Sequence, residues 1–108
     1  MVDNVSQQAL GSVKVLDLTQ GISGPYSTRI LAGFGAEVIK IEKPGDGHPA
    51  RRTGPFLGDE PGPERSGLFL YLNSNKKGIT LNLRSSARVR IFKDLVSDAN
   101  VVVENFSC

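Results

Sequence analysis

Three short stretches of this sequence place polar or basic side chains directly after an apolar, β-branched run: Gln20 to Pro25, Glu42 to Gly47 and Asn105 to Cys108. In an open α/β sheet such positions lie beyond the carboxyl ends of strands, where backbone N–H groups at helix starts favour anions. The chemistry they suggest is nucleotide or anion binding. A glycine-bearing turn is followed about 20 residues later by Glu42, the separation at which a dinucleotide fold holds a ribose. The match is poor, because the Gly-x-Gly-x-x-Gly spacing is absent. Gly21-Ile22-Ser23-Gly24-Pro25 also puts a proline where a pyrophosphate turn needs free N–H groups. Lys43 suits a phosphate or an adenine edge, set against the commoner case of a solvated surface lysine. Asp17, inside the first apolar run, reads as a structural hydrogen-bonding carboxylate. His48, in a Pro/Gly-rich stretch, is expected to face solvent, without the orienting partner a general base needs.

The elements that must position these residues follow from the apolar spacing. Val13 to Leu18 is short, β-branched and bounded by Gly11 and Gly21, the pattern of a buried strand. Ser23 can cap a helix running from Pro25 to Gly33, with Ile30, Leu31 and Phe34 as its apolar face. Glu37 to Glu42 resumes as a second strand, completing a β-α-β unit. From Lys43 to Gly67 five prolines alternate with glycines and charges, so residues 43–67 read as one long loop. It is either a lid over a ligand or a disordered excursion. Order returns at Leu68 to Leu72, and Gly78 to Leu83 alternates as a third strand. Ser85 or Ser86 can cap an amphipathic helix bearing Val89, Ile91, Phe92, Leu95 and Val96 and ending near Asp98. Val101 to Glu104 is then a further buried strand. The expected fold class is α/β, a Rossmann-like, mostly parallel sheet with flanking helices.

Composition excludes several functions. Of 108 residues 39% are hydrophobic and 22% charged, and the net charge is +2, with Lys and Arg spread among acids. That is an ordinary globular balance with no nucleic-acid footprint. One cysteine, Cys108, allows no internal disulfide, and no Cys/His cluster suggests a metal. The N-terminus lacks a secretory signal, and no apolar run nears the ~20 residues that span a bilayer, so a cytoplasmic, membrane-free protein is expected.

The motifs together carry a resemblance. Val15-Leu16-Asp17-Leu18-Thr19, Gly24-Pro25, and Leu31-Ala32-Gly33-Phe34-Gly35-Ala36-Glu37-Val38-Ile39-Lys40-Ile41-Glu42-Lys43-Pro44-Gly45 occur in that order. Asn73, Asn75-Lys76-Lys77, Ile79-Thr80-Leu81-Asn82-Leu83 and Val101-Val102-Val103-Glu104-Asn105-Phe106 follow. The set resembles the N-terminal part of family III CoA-transferases, the group of formyl-CoA transferase, carnitine and bile-acid CoA-transferases and α-methylacyl-CoA racemase. The likeness extends from Val13 to Phe106.

The resemblance implies that residues 1–108 form the N-terminal portion of a coenzyme A-binding α/β domain, within a larger homodimer of interlocked rings. It implies coenzyme A contacts at Ile22, Ser23, Lys43, Leu81, Arg84, Asn105, Phe106 and Ser107, with Arg51 matching an arginine of the following loop. Only the backbone of Leu81 is a serious ligand contact, and Lys43 and Arg84 would pair with phosphates or lie along the adenine. His48 stands where the family often has an acid, Asn82 where it often has Asp, and Ser107-Cys108 replace the usual Arg-Pro-Gly. The implied reaction moves coenzyme A from an acyl-CoA to a carboxylic acid acceptor through a downstream aspartate. No catalytic residue is assigned within the chain. Racemisation of the same family, a non-catalytic nucleotide-binding or dimerisation module, and an NAD-dependent oxidoreductase half resting on Glu42 remain alternatives.

Overall fold

The structure is a computed structural model that describes residues 8–45 and 47–106. Its strands are β1 (Lys14–Asp17), β2 (Glu37–Glu42), β3 (Lys77–Thr80) and β4 (Val101–Val103). Its helices are α1 (Ser23–Gly33), α2 (Gly67–Leu72) and α3 (Ser86–Asp98), with 3-10 turns at Pro49–Arg52 and Leu57–Asp59. The strands form one sheet in the order β3-β2-β1-β4, and every pair is parallel.

Successive strand side chains point to opposite faces, and the sequence fills both. Val15 and Val38 face α1 and pack with Ala32 and Ala36, joined by Leu10, Val13, Leu31 and Val103. Leu16, Leu18, Ile41 and Leu81 face the other way and pack with Ile39, Leu83, Phe92, Leu95 and Ala99. Burial of β1 and β2 on both faces explains their mostly apolar sequences. The chain steps from β1 to β2 to β3 in one direction, then crosses to β4 on the far side of β1. The switch point therefore lies between the carboxyl ends of β1 and β4, the place where such sheets bind ligands.

Several local expectations are corrected. Helix α1 begins at Ser23 itself, its N-cap is Ile22, and no side chain caps it. Gly24 is what lets α1 start there: a Cβ on it would lie 2.5 Å from Cβ of Thr19, so only glycine permits this approach of helix to turn. Pro25, Thr28 and Ala32 form the buried face of α1, whereas Ile30 and Phe34 are exposed. Within 47–67 the chain forms two 3-10 turns, Pro49–Arg52 and Leu57–Asp59, the first tied to the sheet through Arg51 and Glu42. Leu68 to Leu72 lies in helix α2, where the hydroxyl of Ser66 accepts the N–H of Phe69 as a cap.

Strand β3 ends at Thr80 because the Asn82 side chain accepts the N–H of Arg84 and turns the chain. Ser85 is the N-cap of α3 but makes no side-chain cap bond. Phe92, Leu95 and Ala99, at helical spacing, meet the sheet, while Ile91 and Val96 point outward. Strand β4 was expected to be buried, yet Val101 and Val102 are exposed, at 40% and 42%. Among the described residues it is an edge strand, paired with β1.

Candidate functional site

The β1–α1 turn is held from beneath by a buried ion cluster. Asp17 and Lys40 are register partners on adjacent strands, so their side chains share the α1 face. The Asp17 carboxylate accepts the N–H of Thr19 at 2.9 Å and also its hydroxyl. It further accepts the Thr28 hydroxyl at 2.7 Å and the Lys76 ammonium at 2.9 Å. Lys40 Nζ lies 3.7 Å from the same carboxylate and donates to the carbonyl oxygen of Thr19 at 3.1 Å. Lys76 also donates to the carbonyl oxygen of Pro25 at 3.0 Å and to the Asn73 side chain at 2.8 Å. Both ends of the turn are thereby tied to buried ammonium groups.

Burial alone would raise the Asp17 carboxyl, but the Lys40 charge and the bonds from Thr19, Lys76 and Thr28 hold it below the ordinary range. Burial pushes Lys40 down to about 8 against the pull of Asp17, and burial lowers Lys76 in the same way. The Asp17 reading from sequence holds: it is a structural carboxylate.

From the other side, the Asn105 amide strips Gln20 of its backbone freedom. Its Oδ1 accepts the Gln20 N–H at 3.0 Å and its Nδ2 donates to the Gln20 carbonyl oxygen at 2.7 Å. This pair bridges the switch point and imitates a strand ladder.

Beyond the strand ends opens a cleft of about 520 Å³. Leu18, Thr19 and Gln20 come from the end of β1, Ile41 to Pro44 from β2, Leu81 to Arg84 from β3, and Phe106 from β4, with Gly47 and His48 closing the rim. The wall is mixed: Leu18, Ile41, Leu81, Leu83 and Phe106 supply apolar area. Lys43 and Arg84 are exposed, and the side chain of neither has a hydrogen-bond or ion-pair partner among the described residues. An apolar slot flanked by two free cations suits a flat heteroaromatic base carrying phosphates.

Four of the residues singled out from sequence thus meet in one place: Lys43, Leu81, Arg84 and Phe106. Ile22 and Ser23 stand at the start of α1 and do not line the cleft, and Ile22 is 64% exposed. Asn105 sits behind the turn with its amide engaged by Gln20. The N–H of Leu81 is taken by the Glu42 carbonyl oxygen at 2.9 Å, and its side chain is core. Ser107 and Cys108 lie outside the described residues.

The rim corrects three expectations. His48 is not at the surface; it is 2% exposed and packs edge-on against Phe69. Its Nδ1 accepts the N–H of Ala50, capping the Pro49–Arg52 turn, so the neutral ring carries its proton on Nε2. That buried Nε2 has no partner among the described residues. Burial and the Lys40 charge push the imidazole down to about 4. Arg51 is no solvated charge: it grips Glu42 with two bonds of 2.8 Å and stacks over Phe69, 3.7 Å from the ring centroid.

Glu42 in turn is not free to hold a ribose. Arg51 occupies both its oxygens, and the His48 N–H adds a bond of 2.7 Å. The Arg51 hydrogen bonds hold its carboxyl below the ordinary range despite partial burial. Gly47 makes this closure possible, since its φ is +68° and a Cβ there would lie 2.6 Å from Glu42 Oε2. The one feature that favoured an NAD-dependent reading is consumed in a structural clamp.

Sequence reading missed Lys40 and Lys76, and named Gln20 only as the start of a candidate turn, not as the partner of Asn105. A signal existed for the first: a lysine at an inward position of an apolar strand needs an anion, and Asp17 lies one strand away. Lys76 and Gln20 carry no such signal, because chain reversals bring them to the site.

Residues 10–108 match CoA-transferase family III. The chain belongs to this family. It is 43% identical over 102 residues to succinyl-CoA:glutarate CoA-transferase of Mus musculus, covering 94% of this chain and 22% of that protein. It is 44% identical over 98 residues to succinyl-CoA:mesaconate CoA-transferase of Haloarcula marismortui, covering 91% and 24% respectively. Formyl-CoA:oxalate CoA-transferase of Escherichia coli is 43% identical over 97 residues, or 90% of this chain and 22% of that enzyme. A CAIB/BAIF family protein of Brucella suis has a crystal structure that superimposes with a TM-score of 0.79 at 33% identity, over 92% of this chain and 26% of that one. This family III chain thus spans about a quarter or less of the length of the relatives it matches. Among its described residues no helix is long and apolar enough to cross a membrane.

Proposed function

We propose that this chain is the N-terminal portion, residues 1–108, of the coenzyme A-binding α/β domain of an acyl-CoA:carboxylic acid CoA-transferase. The observation that carries the reading is the cleft, where Lys43 and Arg84 flank an apolar slot at the carboxyl ends of the strands. The adenine would lie against Leu81, Leu83 and Phe106, with its phosphates on the two cations. Ile22 and Ser23 would contact the extended arm of the coenzyme beyond the cleft, and Asn105 would act mainly by holding Gln20.

The transfer itself needs a carboxylate that attacks the thioester carbonyl and expels the CoA thiolate, leaving a mixed anhydride. Asp17 and Glu42 cannot supply it, because both are locked by cations and hydrogen-bond donors. The nucleophile of the proposed enzyme is an aspartate elsewhere in the full-length protein. The substrates are an acyl-CoA and a carboxylic acid acceptor, as in the names of the relatives. The enzyme is further proposed to be a cytoplasmic homodimer.

Calorimetry on the full-length protein tests this. CoA is expected to bind, and Lys43→Ala and Arg84→Ala are each expected to weaken it about five- to tenfold, the scale of one lost charge-assisted contact. Unchanged affinity in both variants would remove the cleft from the coenzyme site.

A further inference from the structure

The ion cluster under the β1–α1 turn is unbalanced. Two ammonium groups, on Lys40 and Lys76, converge on one carboxylate, Asp17, and the three side chains are 3%, 1% and 0% exposed. Lys76 is the nearer partner of Asp17, at 2.9 Å, and the two threonines and the Thr19 N–H complete the hydrogen bonds of a carboxylate that both ammonium groups share. Lys40, at 3.7 Å, is the farther partner, and two ammonium groups on one carboxylate leave one charge in surplus. A buried charge without a dedicated counter-ion costs stability, so its presence in a strand that otherwise packs apolar residues requires another reason. The lowering of its ammonium group to about 8 is the same cost seen in protonation.

The position of that charge supplies a reason. Lys40 is bonded to the carbonyl of Thr19, and Thr19 is a wall residue of the cleft. Its strand neighbours Ile41 and Glu42 line the cleft as well. The charged groups around it are Asp17 on β1, Glu42 on β2, Lys76 before β3 and His48 on the rim. Asp17 is shared by Lys40 and Lys76, Glu42 is paired with Arg51, and His48 is neutral, so the cluster keeps one positive charge in excess.

We infer that Lys40 is a positioning residue for anionic ligands: it fixes the Thr19 carbonyl and sets a positive field behind the cleft. This rests on the coenzyme reading of the cleft. The field acts on phosphates without touching them, so it discriminates by charge and not by shape.

The test is Lys40→Met in the full-length protein, titrated with CoA and, as an uncharged probe, adenosine. The variant is expected to bind CoA about fivefold more weakly while adenosine affinity moves less than about twofold. Its melting temperature is expected to change little, because Lys76 still pairs Asp17 while the Thr19 carbonyl loses its ammonium donor. Lys40→Arg should recover most of the lost CoA affinity. Equal losses for CoA and adenosine, an unchanged CoA affinity, or a variant that fails to fold would each overturn the inference. A wild-type protein that binds no CoA fails at the first titration and overturns the coenzyme reading itself, before any variant is compared.

Discussion

His48 holds the rim of the cleft with both its backbone and its ring. A histidine between Gly47 and Pro49 reads as a surface residue, but its backbone N–H and its ring both serve the rim: the first binds Glu42, the second caps Ala50. Because the ring accepts at Nδ1, protonation breaks the cap and buries a charge beside Lys40. Its folded pKa of about 4 lies below the unfolded value of 6.5, so its contribution is fully present above about pH 6.5. That contribution is lost as pH falls through the window toward 4. Stability of the full-length protein is expected to drop by on the order of 2 kcal/mol across this window. His48→Asn, which can still accept the Ala50 N–H, should flatten that part of the profile. Urea unfolding midpoints at pH 7 and pH 4.5 check it, and an equal drop in wild type and variant would locate the titration elsewhere.

At the scale of elements, what could be read along the chain was the alternation of strands and helices, and β2 at Glu37–Glu42 coincides with its expected bounds. Short β-branched runs between glycines, and a long amphipathic helix before Val101, are local signals that survive folding. The long segment 43–67 was not legible because its order is not local. Ser66 is buried, and its hydroxyl reaches the carbonyl oxygens of Ala50 at 2.7 Å and Thr53 at 2.6 Å. Arg51 reaches back to Glu42, nine positions earlier. Such long-range bonds to turns leave no periodicity in the sequence. Ser66→Ala removes both the α2 cap and the donor to the carbonyls of Ala50 and Thr53, the first of them buried, and is expected to cost about 1–3 kcal/mol. Limited proteolysis should then cut within 49–66 sooner than in the wild-type protein. Unaltered cleavage would show that the bonds of Arg51 and Arg65 retain the segment without Ser66.

For the whole molecule, the sheet gathers residues from sites up to 86 positions apart, as in the bond from Lys14 N–H to Asn100. The candidate site was legible where a motif sat at a strand end: Lys43, Arg84 and Phe106 all reach the cleft. Ile22 and Ser23 were placed by the same rule, yet the turn carries them past the cleft wall onto α1. The exposed stripe Ile22, Tyr26, Ile30 and Phe34 continues along that helix at four-residue spacing. An apolar stripe of this kind marks a surface suited to packing, and it lies apart from the residues that line the cleft. The proposal of coenzyme A at the carboxyl ends of the strands rests on the convergence of the family assignment, the parallel sheet and the cation-flanked slot. A crystal structure of the full-length protein with CoA bound tests that convergence most directly. The expected result is an adenine against Leu81 and Phe106, with phosphates within hydrogen-bonding distance of Lys43 or Arg84. An adenine bound elsewhere, with this cleft holding only water, would contradict it.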